Sequence, residues 1–325
     1  MTVDIAADKA ADAATNGNAA ATQLSVTTDQ TAPTVELTSD ATDPQSGLFT
    51  VTATFSEAVT GFELTDVVVG NGAASNLSGS GEVYTFDVTP TSNGAVTVDI
   101  AADKAADAAT NGNAAATQLS VTTDQTAPTV ELTSDATDPQ SGLFTVTATF
   151  SEAVTGFELT DVVVGNGAAS NLSGSGEVYT FDVTPTSNGA VTVDIAADKA
   201  ADAATNGNAA ATQLSVTTDQ TAPTVELTSD ATDPQSGLFT VTATFSEAVT
   251  GFELTDVVVG NGAASNLSGS GEVYTFDVTP TSNGAVTVDI AADKAADAAT
   301  NGNAAATQLS VTTDQTAPTV ELTSD

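Results

Sequence analysis

The side chains best suited to chemistry are acids and asparagines in a spaced set. The stretch DKAADAATNGN runs from Asp103 to Asn113. It places Asp103 four residues before Asp107 and ends in Asn111 and Asn113. Asp29 and Glu57 lie upstream. Carboxylates, amide oxygens and backbone carbonyls are the donors of a hard cation such as calcium, which gathers about six to eight oxygens. The spacing is not that of an EF-hand. Alanines, a lysine and two acids four apart equally suit a solvated loop with one helical turn, closed by an Asn-Gly cap. On the residues alone both readings stand, and one turn would put Asp103 and Asp107 on the same face.

The stretch is not unique. TVDIAADKAADAATNGN begins at Thr2, Thr97, Thr192 and Thr287, a period of 95 residues without substitution. Met1 stands where later copies have Val96, Val191 and Val286, as a start codon placed in an arbitrary phase of a longer array would. The candidate ligands therefore recur. They are Asp29, Glu57, Asp103, Asp107, Asn111 and Asn113, then Asp124, Glu152, Asp198, Asp202, Asn206 and Asn208. Asp219, Glu247, Asp293, Asp297, Asn301 and Asn303 complete the set.

Composition narrows the chemistry. The 325 residues hold 42 acids against four lysines, for a net charge of −38. Nucleic acid and anionic membranes need basic patches and are poor partners. With no histidine, cysteine or arginine there is no imidazole base, thiolate, usual zinc site or bidentate anion clamp, so an enzyme is not expected. No stretch is apolar enough to insert in a membrane and no signal peptide is present; an export signal would lie outside this sequence.

Positioning these acids falls to strands. LFTVTATF (Leu48 to Phe55), EVYTFDV (Glu82 to Val88) and AVTVDIA (Ala95 to Ala101) alternate apolar and polar residues, as do TVELTS from Thr34 and TQLSVTTD from Thr117. FELTDVVVG from Phe62 reads as a further strand and AASNLSG as a weaker one. Clusters such as SDATDPQSG and TPTSNG mark turns. About seven short strands per unit predict an all-β chain of tandem Ig-like β-sandwiches. The units are 31–125, 126–220 and 221–315, arranged end to end. Residues 1–30 read as the last hairpin of a truncated repeat and 316–325 as the first strand of another. Tyr84 alternates with core residues and is expected to pack inward. Strand order returns the loop 103–113 and Glu57 to the entry end, beside Asp29. It sends Asp40, Asp43 and Asn93 to the exit end, facing the next linker.

TAPTVELTS, FTVTATFSEAVTGFELTDVVVGNG, YTFDVTP and DAATNGNAAAT resemble the bacterial Ig-like repeats of giant surface adhesins and biofilm-associated proteins. The resemblance covers every repeat. It implies an extracellular stalk on the bacterial cell surface, stiffened by calcium at domain junctions, with neighbouring identical repeats as its first partners. The rival is a self-assembling filament, surface layer or biofilm matrix in which other copies of the chain also make contact. The resemblance does not name an adhesion target. One departure stands out: the family often has glycine before the asparagine of the last loop, and this sequence has Thr110.

Overall fold

Alternation becomes strand wherever one face has a core to meet. The computed structural model describes residues 1–323. The chain divides into two compact units, Met1–Pro128 with Ala201–Gly207, and Thr129–Ala200 with the residues from Asn208 onward.

The first unit opens with β1 (Thr2–Val3) and β2 (Leu24–Ser25), an antiparallel pair whose Val3 and Leu24 remain exposed. A full repeat follows: β3 (Val35–Ser39), β4 (Phe49–Val59), β5 (Val67–Gly70), β6 (Gly72–Pro90), β7 (Gly94–Ile100) and β8 (Leu119–Thr123). They form two three-stranded antiparallel sheets, β3-β4-β6 and β5-β7-β8. Register follows the inward residues: Phe49 faces Val88, Val51 faces Phe86 and Ala53 faces Tyr84. Val96, Val98 and Ile100 of β7 and Val121 of β8 meet them from the other sheet in one cluster. Each such side chain contributes about 1.5–3 kcal/mol on burial. Tyr84 is packed inward: it meets Phe55 and Phe62 edge-on, at centroid distances of 5.9 and 5.1 Å, and donates its hydroxyl to the Val59 carbonyl.

Two elements differ from the strand pattern read in the sequence. FELTD does not extend the strand. Asp66 accepts the Glu63 N–H at 2.9 Å and closes a 3₁₀ turn over Leu64–Asp66, leaving β5 only four residues. Conversely AASNLSG and EVYTFDV are parts of one element, β6, which doubles back near Gly79 and Gly81. Thr91 N–H reaches Asn71 O, and Asn76 Nδ2 reaches Asp87 Oδ2, so the two arms run side by side. Gly79 has φ +110°, and a Cβ there would lie 2.3 Å from the Val83 oxygen, so the fold-back needs glycine.

The second unit repeats this twice. β9 (Val130–Ser134), β10 (Phe144–Val154), β11 (Val162–Gly165), β12 (Gly167–Pro185), β13 (Gly189–Ile195) and β14 (Leu214–Thr218) form the sheets β12-β10-β9 and β11-β13-β14. β15 (Val225–Ser229), β16 (Phe239–Val249), β17 (Val257–Gly260), β18 (Gly262–Pro280), β19 (Gly284–Ile290) and β20 (Leu309–Thr313) form β15-β16-β18 and β17-β19-β20. From Thr316 to Thr323 there is no strand, and Val320 and Leu322 are 84% and 93% exposed. Ser324 and Asp325, the end of the strand read over 316–325, lie outside the described residues.

Candidate metal centre

The connection from β7 to β8 is a loop without helix. Asn113 organises it. Its Oδ1 accepts the N–H groups of Lys104 and Ala105 at 2.7 and 2.8 Å, and its Nδ2 donates to the carbonyls of Ala101 and Ala114. Those two N–H groups are thereby taken by a side chain, the competition that disfavours helix near Asn and Asp. Asp103 and Thr110 sit at φ 61° and 68°, outside any right-handed turn. Asp107 binds its own loop: Oδ1 accepts from Ala109 N–H and Asn111 N–H, and Oδ2 accepts from Asn111 Nδ2, each at 2.8 Å. These bonds, led by that of the Asn111 side chain, hold the Asp107 carboxyl below its ordinary value.

Thr60, just past β4, docks on this loop by exchanging backbone hydrogen bonds with Ala106. Asn111 Nδ2 reaches the Asp29 carbonyl at 3.3 Å. The result is a cluster of Asp29, Glu57 and Asp107, with one carboxylate oxygen of each within 4.8 Å of the others. Asp107 is only 5% exposed, Glu57 half-buried and Asp29 exposed. Burial, then the charges of Asp107 and Asp29, push the Glu57 carboxyl up. The lysine of the loop does not relieve this: Lys104 pairs with Asp66 at 3.7 Å.

In the second unit Asp219, Glu247 and Asp297 form the same cluster. Glu247 is pushed up by burial, then by Asp297 and Asp219, and Lys294 pairs with Asp256. Asn301 Nδ2 donates to the Asp219 carbonyl at 2.8 Å and to Asp297 Oδ2 at 2.9 Å. In the loop of the remaining repeat Asn206 donates to Asp202 and to the Asp124 carbonyl in the same way. Glu152 takes in β10 the place that Glu57 has in β4.

The family model described as the bacterial Ig-like domain matches residues 29–123, 124–218 and 219–313. The chain belongs to this family. No match to the curated proteins was found by sequence. Among solved structures the Ig-like repeats are similar to invasin, a bacterial integrin-binding protein, at 15% identity and a TM-score of 0.34, covering 86% of this chain and 60% of that one. The tetra-tandem repeat in the extending region of a large adhesion protein is similar at 19% identity and 0.27, covering 87% and 75%. Surface-layer protein SbsC, domains 1–6, is similar at 14% and 0.21, covering 89% and 55%. The chain thus spans a little over half the length of two of these three.

Asp103, Asp198 and Asp293 are not members of the carboxylate clusters among the described residues. A Cβ on Gly112 would fall 2.1 Å from Asp103 Oδ1, so that carboxylate lies against the glycine of Asn-Gly-Asn; Asp293 and Gly302 repeat the arrangement. Asp198 shares the positive φ. Asn113, Asn208 and Asn303 are each about 1% exposed, with side chains bonded to their own loop backbone. At the exit end Asp43 accepts the Thr122 N–H, and Asn93 reaches Asp124. Asp40 stays local, capping Thr50 N–H. Among the described residues no helix is long and apolar enough to cross a membrane.

Proposed function

We propose that these Ig-like repeats are the structural stalk or spacer of an extracellular bacterial surface adhesin, with calcium bound where each linker meets the next domain. The observation that carries this is the cluster of a linker aspartate, a strand glutamate and a loop aspartate whose lysine neighbour is committed elsewhere. Three carboxylates this close repel at neutral pH, and a divalent cation removes the repulsion. Every donor present is a hard oxygen, and the chain has no histidine or cysteine, which fits calcium better than zinc or copper. Asp29, Glu57 and Asp107, or Asp219, Glu247 and Asp297, would hold it. The ion supplies charge neutralisation and a tie between linker and loop; nothing in the reading calls for catalysis. Calcium should raise the melting temperature, and chelator should lower it. Melting indifferent to both would overturn the calcium reading.

The rival role as a filament or surface-layer building block draws on the exposed Val3, Leu24, Val320 and Leu322, which another copy of the chain would cover. Sedimentation across a concentration series separates the two: a stalk stays monomeric, whereas a matrix protein associates.

A further inference from the structure

Each repeat carries, between its long folded-back strand (β6, β12 or β18) and the strand that follows it, an asparagine directed at the next linker. Asn188, between β12 and β13, donates through Nδ2 to Asp219 Oδ1 at 2.8 Å and to Thr221 Oγ1 at 2.6 Å. Its Oδ1 accepts the Gln220 N–H at 2.7 Å. The linker backbone is tied to the same repeat by Asp219 N–H donating to the Gln140 carbonyl. From the other side Asn301, in the third repeat, donates to the Asp219 carbonyl at 2.8 Å. Asp219 is therefore gripped at its carboxylate by the second repeat and at its carbonyl by the third.

We infer that Asn188 is a positioning residue that makes the cation site of the third repeat depend on the second, by fixing the carboxylate of Asp219 before an ion arrives. The inference rests on reading Asp219, Glu247 and Asp297 as a calcium site. Two contrasts within the chain support it. At the last linker Asn283 makes the same three bonds, to Asp314 Oδ1, Thr316 Oγ1 and Gln315 N–H, although Asp314 to Thr323 form no strand. The clamp thus belongs to the preceding repeat and forms without a folded successor. At the first linker no asparagine among the described residues donates to the Asp29 carboxylate. Asp29 and Asp219 both accept the N–H of the threonine two residues on, Thr31 and Thr221, but at Asp29 the bond from Asn111 to the carbonyl lengthens to 3.3 Å, and Asp29 is exposed where Asp219 is half-buried. Holding one ligand in place lowers the ordering cost of binding, so the site at Asp219 should be tighter than the site at Asp29.

The test uses the full chain, with Asn188→Ala and Asn283→Ala as a matched pair. In chelator, amide exchange at Gln220 should rise about tenfold in Asn188→Ala, with Gln125 unchanged. In calorimetric titration with calcium chloride, one class of site should weaken about tenfold in Asn188→Ala. Asn283→Ala should loosen Gln315 and leave calcium binding as it was. Unchanged exchange at Gln220 overturns the clamp. Raised exchange with unchanged calcium affinity overturns its coupling to the site, as does equal weakening by Asn283→Ala. A wild-type chain that takes up no calcium removes the proposed function, and exchange at Gln220 then judges the clamp alone.

Discussion

The loop that folds at residues 8–18 and the loop at 103–113 have one sequence and two surroundings. Inside, they are the same object. Asn18 accepts from Lys9 and Ala10 N–H as Asn113 does from Lys104 and Ala105. Asp12 accepts from Ala14 and Asn16 as Asp107 does from Ala109 and Asn111. Asp8 and Thr15 have φ 63° and 68°, matching Asp103 and Thr110. The Asp12 carboxyl is held low by the Asn16 side chain, as Asp107 is by Asn111. Outside, they differ. Asp12 is exposed and belongs to no carboxylate cluster among the described residues, whereas Asp107 is buried against Glu57 and Asp29. The loop's conformation is local, and the candidate metal centre is tertiary: it exists only where a sandwich brings a strand glutamate and a linker aspartate to the loop.

That comparison is broken most forcefully at the organising asparagine. Asn113→Ala leaves two N–H groups and two carbonyls without their partner, the Ala105 N–H buried and the others partly so, and should cost the first repeat about 2–4 kcal/mol. Asn18→Ala, in the exposed copy, should leave the repeats unchanged. Denaturation with hydrogen exchange read in β7 and β8 checks both.

A middle-sized effect comes from pH without divalent cations. Glu57 and Glu247 have folded carboxyls raised above their ordinary 4.5, so the folded chain binds their protons first. Stability should therefore rise as pH falls from neutral through the raised folded values toward 4.5. Asp107 is lowered from 3.8, so its contribution is present above that value and is lost as pH falls through its folded value. Thermal melts in chelator should show a mildly acidic maximum, and Glu57→Gln with Glu247→Gln should flatten the rise toward it. A rise of the same size in the double variant would remove Glu57 and Glu247 as its cause.

The smallest effect sharpens the local half of the comparison. A β-branched threonine at φ 68° is strained, and glycine is not, though glycine costs more chain entropy on folding. Thr110→Gly should stabilise its loop by about 0.5 kcal/mol net, and Thr15→Gly by a similar amount, because the strain is the same in both. Unequal effects, read by exchange within each loop, would mean that the surroundings set the loop's conformation.

The inward faces of β4, β6, β7 and β8 were legible because period-two alternation records which face meets a core. Ala53 and Thr54 need only their neighbours in sequence to be assigned opposite sides. The 3₁₀ turn at Leu64–Asp66 was hidden, since ELTD reads as strand until the Asp66 side chain is seen to take the Glu63 N–H. The β7–β8 loop was hidden for a similar reason. Its shape depends on Asn113 reaching eight and nine residues back, a link that no periodicity records. Grouping Asp29, Glu57 and an acid of that loop follows from strand order. Which acid faces them depends on the positive φ at Asp103, which lays that side chain against Gly112 and leaves Asp107 inward.

The most direct measurement is calorimetric titration of the full chain with calcium, comparing Asp107→Asn with Asp12→Asn. Both substitutions remove one carboxylate from the same loop sequence. If the site is built by the sandwich, Asp107→Asn loses one bound ion and Asp12→Asn loses none. Equal loss from both, or no calcium uptake by the unaltered chain, would contradict it.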